Sequence, residues 1–173
     1  MKTLNDYILI GIDPGPTKSA LAVIERQDGE IKLLDFKYGD NQDIASEIKS
    51  WSANRLIIEQ VSHYGRQVGQ STFDTCFSVG YFYAIAEASR HNTELLKKPE
   101  VGHILTGSRR ATKAQVQQAV KERFKPTGGG ADPYKGIKSK QGPLYGTSNH
   151  ILDAIGVAMA WIEHMDCETG HIL

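Results

Sequence analysis

Apolar residues occur along this chain in short runs separated by polar, glycine-containing breaks, a pattern that predicts alternating strands and helices. The predicted strands are residues 7–12, 21–25, 31–36, 55–61 and 101–105. Asp28 and Gly29 lie between the second and third strands and predict a hairpin turn. Longer runs with a helical repeat predict helices over residues 71–90, 112–124 and 148–165.

A further helix is predicted to begin after Asp40, which would cap its first turn, and to place Ile44, Ile48 and Trp51 on one face. The order is three strands, helix, strand, helix, strand and two helices. It predicts an α/β fold in one domain over residues 1–173. We expect a five-stranded mixed sheet that begins with three antiparallel strands, continues through crossovers and carries flanking helices.

The helix over residues 71–90 is apolar on two sides. One stripe consists of Phe73, Phe77, Gly80, Ala84 and Ala88, and a second stripe of Val79, Phe82 and Ile85. A helix that is apolar on two sides is buried on two sides, and the sheet can cover only one of them. The sequence therefore predicts a homodimer in which the small residues of the first stripe allow a close approach.

The composition and the cysteine content of the chain indicate where in a cell the protein would act. The chain is 40% hydrophobic and 23% charged, which is ordinary for a globular protein. Because no run of eighteen apolar residues occurs, we expect no transmembrane helix and no membrane partner. Cys76 and Cys167 are isolated from one another in sequence, so we expect no disulfide framework and a cytoplasmic location.

The charges are distributed unevenly, although the formal net charge is zero. Residues 107–140 contain nine lysines and arginines against Glu122 and Asp132, which leaves this segment at +7 and the remainder at −7. Such a distribution indicates a basic face for a polyanion. The segment includes a Gly-, Pro- and Lys-rich loop over residues 125–145, and loops of this length are usually functional or disordered.

Four acidic or imidazole side chains interrupt apolar elements. Asp13 ends the first strand, Glu59 lies near the end of the fourth, and His150 and Asp153 open the last helix. Buried carboxylates are costly unless they are paired or bind a metal. Their convergence from separate elements predicts a divalent metal site of the kind used for phosphodiester cleavage.

The segments that carry these residues resemble the three metal-site motifs of the RuvC family, Holliday-junction resolvases with a ribonuclease H-like fold. The matching segments are residues 10–15, 57–61 and 148–154, and residues 106–107 and 111–116 also resemble the family's sequence before the last helices. Where this chain has His150, the family often has Asp. Together with the long 126–146 loop, this departure looks more like the resolvases of bacteriophages.

The resemblance implies a structure-selective endonuclease that acts on branched DNA such as four-way junctions. It implies a homodimer with two Mg²⁺ or Mn²⁺ ions per active site, held by Asp13, Glu59, Asp153 and His150, and products with a 5′-phosphate and a 3′-hydroxyl. Asp13 would bridge the two ions. His150 remains open between metal ligand, proton carrier and a residue of the helix-capping region.

Further residues are candidates for DNA contacts. Those near the predicted site or in the basic segment are Tyr64, Arg66, Arg109, Arg110, Lys113, Lys135, Lys138 and Lys140. Two other functions remain possible at this point. Residues 11–19 resemble the first phosphate loop of ATPases of the actin and Hsp70 type, and a module that binds branched DNA with little or no catalysis would show the same basic segment.

Overall fold

A computed structural model describes residues 7–62 and 68–168 of the chain. Its central sheet has five strands in the order β3-β2-β1-β4-β5. The strands are β1 (Tyr7–Asp13), β2 (Lys18–Gln27), β3 (Glu30–Asp40), β4 (Arg55–Gln60) and β5 (Thr93–Lys97). The first three strands pair antiparallel, whereas β4 and β5 continue the sheet in parallel with β1. The predicted five-stranded mixed sheet is confirmed.

The predicted hairpin turn between β2 and β3 is also confirmed. Asp28 and Gly29 both adopt positive φ angles, 51° and 80°. Two consecutive residues with positive φ match the right-handed twist of the strands, and Asp-Gly is among the few pairs that adopt this conformation readily. The turn lies at the end of β2 opposite to Asp13, which pairs with Ala20 near the other end of that strand.

Helices cover both faces of the sheet. They are α1 (Asn41–Ser50), α2 (Gln70–Ala88), α3 (Lys98–Thr106), α4 (Lys113–Glu122) and α5 (Asn149–Glu168). One face packs against α5, with α3 and α4 on the outer side of that helix, and the other face packs against α1 and α2. Alternating residues of β1 feed the two cores, since Leu9 packs on the α5 side and Ile10 and Ile12 on the opposite side.

The predicted strand over residues 101–105 is wrong, because these residues lie inside α3, and the fifth strand is Thr93–Lys97. A short apolar run does not distinguish a strand from a buried helix by its periodicity. The flanking residues do. Pro99 stands in the first turn of α3, and Gly107 ends the helix in the left-handed conformation at φ 75°, which are the positions where proline and glycine favour a helix.

Three smaller features differ from the predictions. Asp40 precedes α1 but its side chain makes no capping hydrogen bond, and Trp51 lies just after the helix rather than within it. Residues 125–145 contain a short hairpin of β6 (Gly136–Ile137) and β7 (Lys140–Gln141), with backbone hydrogen bonds such as Gly129 N to Lys140 O at 2.9 Å. No helix within the described residues combines the length and the hydropathy needed to cross a membrane.

Candidate active site

Asp13 and Glu59 meet at one edge of the sheet because their strands are parallel neighbours. Ile12 pairs with Ile58, so the next residue on each strand is one of the two carboxylates. Glu59 follows Ile57 by two residues and shares its face, which is the face packed against α5. Both side chains are largely buried, with 13% of each exposed.

The N-terminus of α5 reaches these carboxylates because β1 has a glycine where the helix crosses it. A Cβ at Gly11 would lie 2.1 Å from the Ala154 carbonyl oxygen and 3.0 Å from the Ala158 Cβ. Only a residue without a side chain permits this approach. Asp153 and His150 are thereby brought beside Asp13, which lies on the same face of β1 as Gly11.

Asp13, His150 and Asp153 form the one cluster of potential metal ligands within the described residues, with their donor atoms within 4.8 Å of one another. Ligands of one octahedral Mg²⁺ at about 2.1 Å from the ion are at most ~4.2 Å apart. A small adjustment would thus bring this donor set to a single ion. Carboxylates suit hard ions such as Mg²⁺ and Mn²⁺, whereas an imidazole nitrogen suits softer ions, and the residues together fit a divalent metal.

The environment of Asp153 supports the same conclusion. Its side chain is 8% exposed, and its Oδ1 accepts a hydrogen bond of 2.8 Å from Gln117 Nε2. Its Oδ2 is buried and accepts no hydrogen bond within the described residues, although Lys113 Nζ lies 2.5 Å away at ion-pair distance. A buried carboxylate oxygen is costly without a charged partner, so Oδ2 requires a cation, either the Lys113 ammonium that it meets here or a bound metal ion.

Glu59 lies beside the cluster rather than within it. Its Oε2 accepts a hydrogen bond of 3.2 Å from the Nζ of Lys98. The sequence analysis did not identify Lys98 as a site residue. Burial raises the pKa of Glu59 to about 7, and the negative charges of Asp13 and Asp153 add to this rise, while Lys98 opposes it. Burial also raises the pKa of Asp13, as does the charge of Asp153, against the opposing effects of Lys98 and His150.

His150 is held between two partners. Its Nδ1 lies 3.3 Å from Asp13 Oδ2, and its ring stacks on Tyr38 with centroids 4.8 Å apart and planes inclined by 4°. Tyr38 lies near the end of β3, opposite Ala20 in the sheet. It was not among the predicted site residues, because only the pairing of β2 and β3 reveals that it faces the N-terminus of α5.

The cluster opens into a cleft of three adjoining cavities of about 100, 390 and 250 Å³. The first is lined by Arg109 and Lys113, the second by Lys18 and Tyr38, and the third by hydroxyl groups such as that of Thr75. This combination of carboxylates at the centre and cations or hydroxyls around them suits a phosphodiester strand.

The basic segment is less cationic in the structure than in the sequence. Several of its members form internal ion pairs, namely Lys113 with Asp153, Lys121 with Asp132, Arg123 with Glu163 and Lys125 with Glu30. Lys135 donates a hydrogen bond of 2.9 Å to the Thr147 carbonyl oxygen. Within the described residues, no ion pair involves the exposed members Arg109, Arg110, Lys138 and Lys140. Two predicted DNA contacts, Tyr64 and Arg66, lie outside the described residues.

The chain was compared with protein-family models, curated sequences and solved structures, and only solved structures match it. Neither a protein-family model nor a curated protein sequence matches the chain. The structure of T. thermophilus RuvC in complex with a Holliday junction substrate aligns at a TM-score of 0.71 and 16% identity, over 94% of this chain and 97% of that one. A second Thermus thermophilus RuvC structure aligns at 0.65 and 17%, with the same coverage.

This chain has the RuvC fold. The ribonuclease H-like architecture predicted from its motifs is therefore confirmed. Within the RuvC fold, Asp13 and Glu59 lie at the carboxyl ends of neighbouring parallel strands, and α5 supplies His150 and Asp153. The sequence analysis missed two residues of the site. Tyr38 lies near the end of β3, which was predicted to stop at residue 36, and Lys98 begins α3 directly after β5, the strand that was placed wrongly.

Proposed function

We propose that this protein is a metal-dependent endonuclease that cuts four-way junctions or related branched DNA. The observation that carries the proposal is the cluster of Asp13, His150 and Asp153, whose donor atoms lie within 4.8 Å of one another. The RuvC fold of the chain supports a branched-DNA substrate, since T. thermophilus RuvC has been captured with a Holliday junction.

In this proposal Asp13, Glu59, His150 and Asp153 would hold two divalent ions, Mg²⁺ or Mn²⁺. Bound ions would supply Lewis-acid activation of the scissile phosphate and of the attacking water, leaving a 5′-phosphate and a 3′-hydroxyl. His150 either contributes a ligand nitrogen or carries a proton, and its contact with Asp13 suits both roles. Tyr38 keeps the plane of the imidazole ring fixed in either case.

The first test removes the carboxylates one at a time. Asp13→Asn, Glu59→Gln and Asp153→Asn should each lower the rate of junction cleavage by about two orders of magnitude or more, because an amide oxygen is a poor substitute for a charged ligand. Junction binding in Ca²⁺ should remain close to that of the wild type. Single-turnover cleavage of a synthetic four-way junction in Mg²⁺ and in Mn²⁺ measures the rate.

Asp28→Asn is the matched control, because Asn also tolerates the positive φ of the β2–β3 turn, at the end of the sheet away from the site. It should cut like the wild type. A wild type that binds the junction but never cuts it, with any of the tested metals, would instead support the alternative of a DNA-binding module. Full activity in one of the three carboxylate variants would remove that residue from the site.

We also propose that the protein acts as a homodimer through the outer stripe of α2, formed by Phe73, Phe77, Gly80, Ala84 and Ala88. All five residues are exposed, and Phe77 is 79% exposed. An exposed contiguous apolar patch of this kind marks an interaction surface. A twofold dimer would direct two active sites to opposite strands of a junction.

Sedimentation at micromolar concentration tests the dimer. Ala84→Glu should produce monomers, since it introduces a charge in the middle of the stripe, and it should lose coordinated cutting of the two junction strands. Ala114→Glu places the same substitution on an exposed position of α4, on the other side of the sheet, and should sediment like the wild type. A monomeric wild type would contradict the proposal.

We further propose that this protein is a bacteriophage-type resolvase that acts in the cytoplasm of a bacterium or of a phage-infected host, and two features support this. One is His150 at a position that is often Asp in the family that the chain resembles. The other is the long segment over residues 125–145, which folds into a hairpin beside the start of α5 through the Lys135–Thr147 hydrogen bond.

A further inference from the structure

Lys98 occupies a central position in the cleft for which the metal site alone gives no reason. It is the first residue of α3, directly after β5, whose carboxyl end lies at the same edge of the sheet as those of β1 and β4. Its Nζ donates a hydrogen bond of 3.2 Å to Glu59 Oε2, while 52% of its side chain remains exposed. The ammonium group thus touches a carboxylate of the site and is open to the cleft.

The three cavities of the cleft meet at this side chain. Lys98 lines all three cavities, and among the residues that the structure describes no other does so. Asp13 and Asp153 each line two of them. A strand that crosses the carboxylates from one cavity to the next must therefore pass the Lys98 ammonium.

Stability does not account for a lysine at this position. An ion pair whose lysine is half exposed contributes little to stability, and a cation in the first turn opposes the dipole of α3. Lys98 therefore places a cation beside the carboxylates, at the point where the three cavities meet.

We propose that Lys98 is a substrate-contacting residue that binds a non-bridging oxygen of the DNA phosphate lying over the carboxylate cluster. The proposal rests on the proposed nuclease function and adds to it a residue outside the ligand set. Its competing explanation is that Lys98 only orients Glu59, a role that requires no contact with DNA.

The salt dependence of binding separates these two roles. Each phosphate contact adds about 0.9 to the slope of log affinity against log salt concentration for duplex DNA. Binding of a synthetic four-way junction in Ca²⁺ is measured at several salt concentrations for the wild type, Lys98→Met, Lys98→Arg and Lys97→Met. Lys97 is the matched control, because it is the neighbouring exposed lysine and lines none of the three cavities.

Lys98→Met should lower the slope by about 0.9 and weaken binding about tenfold at low salt. Lys98→Arg should keep the wild-type slope because it keeps the charge, and Lys97→Met should behave like the wild type. Single-turnover cleavage in Mg²⁺ should fall in Lys98→Met and recover in large part in Lys98→Arg.

Three results would overturn the proposal. One is a loss of cleavage in Lys98→Met with an unchanged salt slope, which would limit Lys98 to the support of Glu59. Another is an equally reduced salt slope in Lys98→Met and Lys98→Arg. Because the Arg variant keeps the charge, the change could not then come from a lost contact between the charge and a phosphate. The third is a Lys98→Met variant whose cleavage rate and salt slope equal those of the wild type, when the wild type itself cuts junctions. A wild type that does not bind junctions at all overturns the proposed function first, and this proposal with it.

Discussion

Two apolar helices of similar length, α5 and α2, cover opposite faces of the sheet but are buried to very different degrees. Every residue of α5 from 151 to 162 is buried. The buried residues of α2 are Ser78, Val79, Phe82 and Ala86. Phe77, by contrast, is 79% exposed on the outer side of α2. Apolar composition alone would not distinguish the two helices.

The difference follows from what lies behind each helix. α3 and α4 pack on the outer side of α5, which fixes that helix against β1 and holds buried carboxylates at set positions. Within the described residues, nothing comes within 4 Å of a Cβ built at Gly80 on α2. An enclosed helix provides the rigid support that a metal site requires, whereas an open one provides a surface for a partner.

The largest expected effect comes from adding a methyl group at Gly11, where α5 is in close contact with β1. Gly11→Ala should lower the free energy of unfolding by about 3 kcal/mol, the upper end of the range for an overfilled core, because its Cβ would collide with the Ala154 carbonyl. Cleavage should fall as well, since α5 carries His150 and Asp153. Urea denaturation measures the first effect and single-turnover cleavage the second. A stable, active Gly11→Ala protein would contradict the tight contact that sets α5 apart.

A second prediction concerns Glu59, a carboxylate that is largely buried on the face of the sheet covered by α5. The pKa of Glu59 is raised from 4.5 to about 7, so the folded state prefers the protonated carboxyl. Without divalent metal, the contribution of Glu59 to stability is therefore present below pH 4.5 and is lost as the pH rises through 7, by about 2 kcal/mol between pH 5 and pH 8. Since a metal binds the ionised form, Mg²⁺ should raise the unfolding temperature more at pH 8 than at pH 5.

Thermal unfolding with and without Mg²⁺ at the two pH values measures this effect. Glu59→Gln is the control, because it removes the titrating group and should flatten the difference. Stabilisation by Mg²⁺ of equal size at pH 5 and pH 8 in the wild type would show that Glu59 is not buried in its protonated form.

The smallest expected effect comes from the open side of α2. Gly80→Ala should stabilise the monomer by about 0.5–1 kcal/mol, because alanine is the better helix former and its Cβ meets nothing within 4 Å. The measurement is best made by urea denaturation of the monomeric Ala84→Glu variant, with and without Gly80→Ala. A loss of stability there would mean that the outer side of α2 is covered within the monomer itself.

Much of the fold could be predicted from the sequence where local signals agree. The runs that end in Asp13 and Glu59 are strands, the Asp28–Gly29 turn joins β2 and β3, and α5 begins at Asn149. Each of these features depends on neighbouring residues, through alternation, turn conformation or helical repeat. The motifs around the carboxylates also indicated the ribonuclease H-like fold, which the alignment with RuvC confirms.

The errors occurred where a local pattern suited two structures. The run over residues 101–105 could form a strand or a buried helix, and the wrong choice left Lys98 in an unassigned stretch instead of at the edge of the site. The basic segment was counted as free charge, although Lys121, Arg123 and Lys125 pair with acids elsewhere in the chain. Pairing of this kind depends on distances in space and has no signature in the spacing of residues.

By itself, then, the sequence determined the first four strands, the helices outside residues 98–106 and the acids at the strand ends, because these depend on the conformational preferences of neighbouring residues. Only the tertiary structure decided that α5 contacts β1 at Gly11, that Tyr38 stacks on His150 and that Lys98 faces Glu59. These contacts join residues that are distant in the chain, and they form only when the packing of the whole sheet brings its edges and helix ends together.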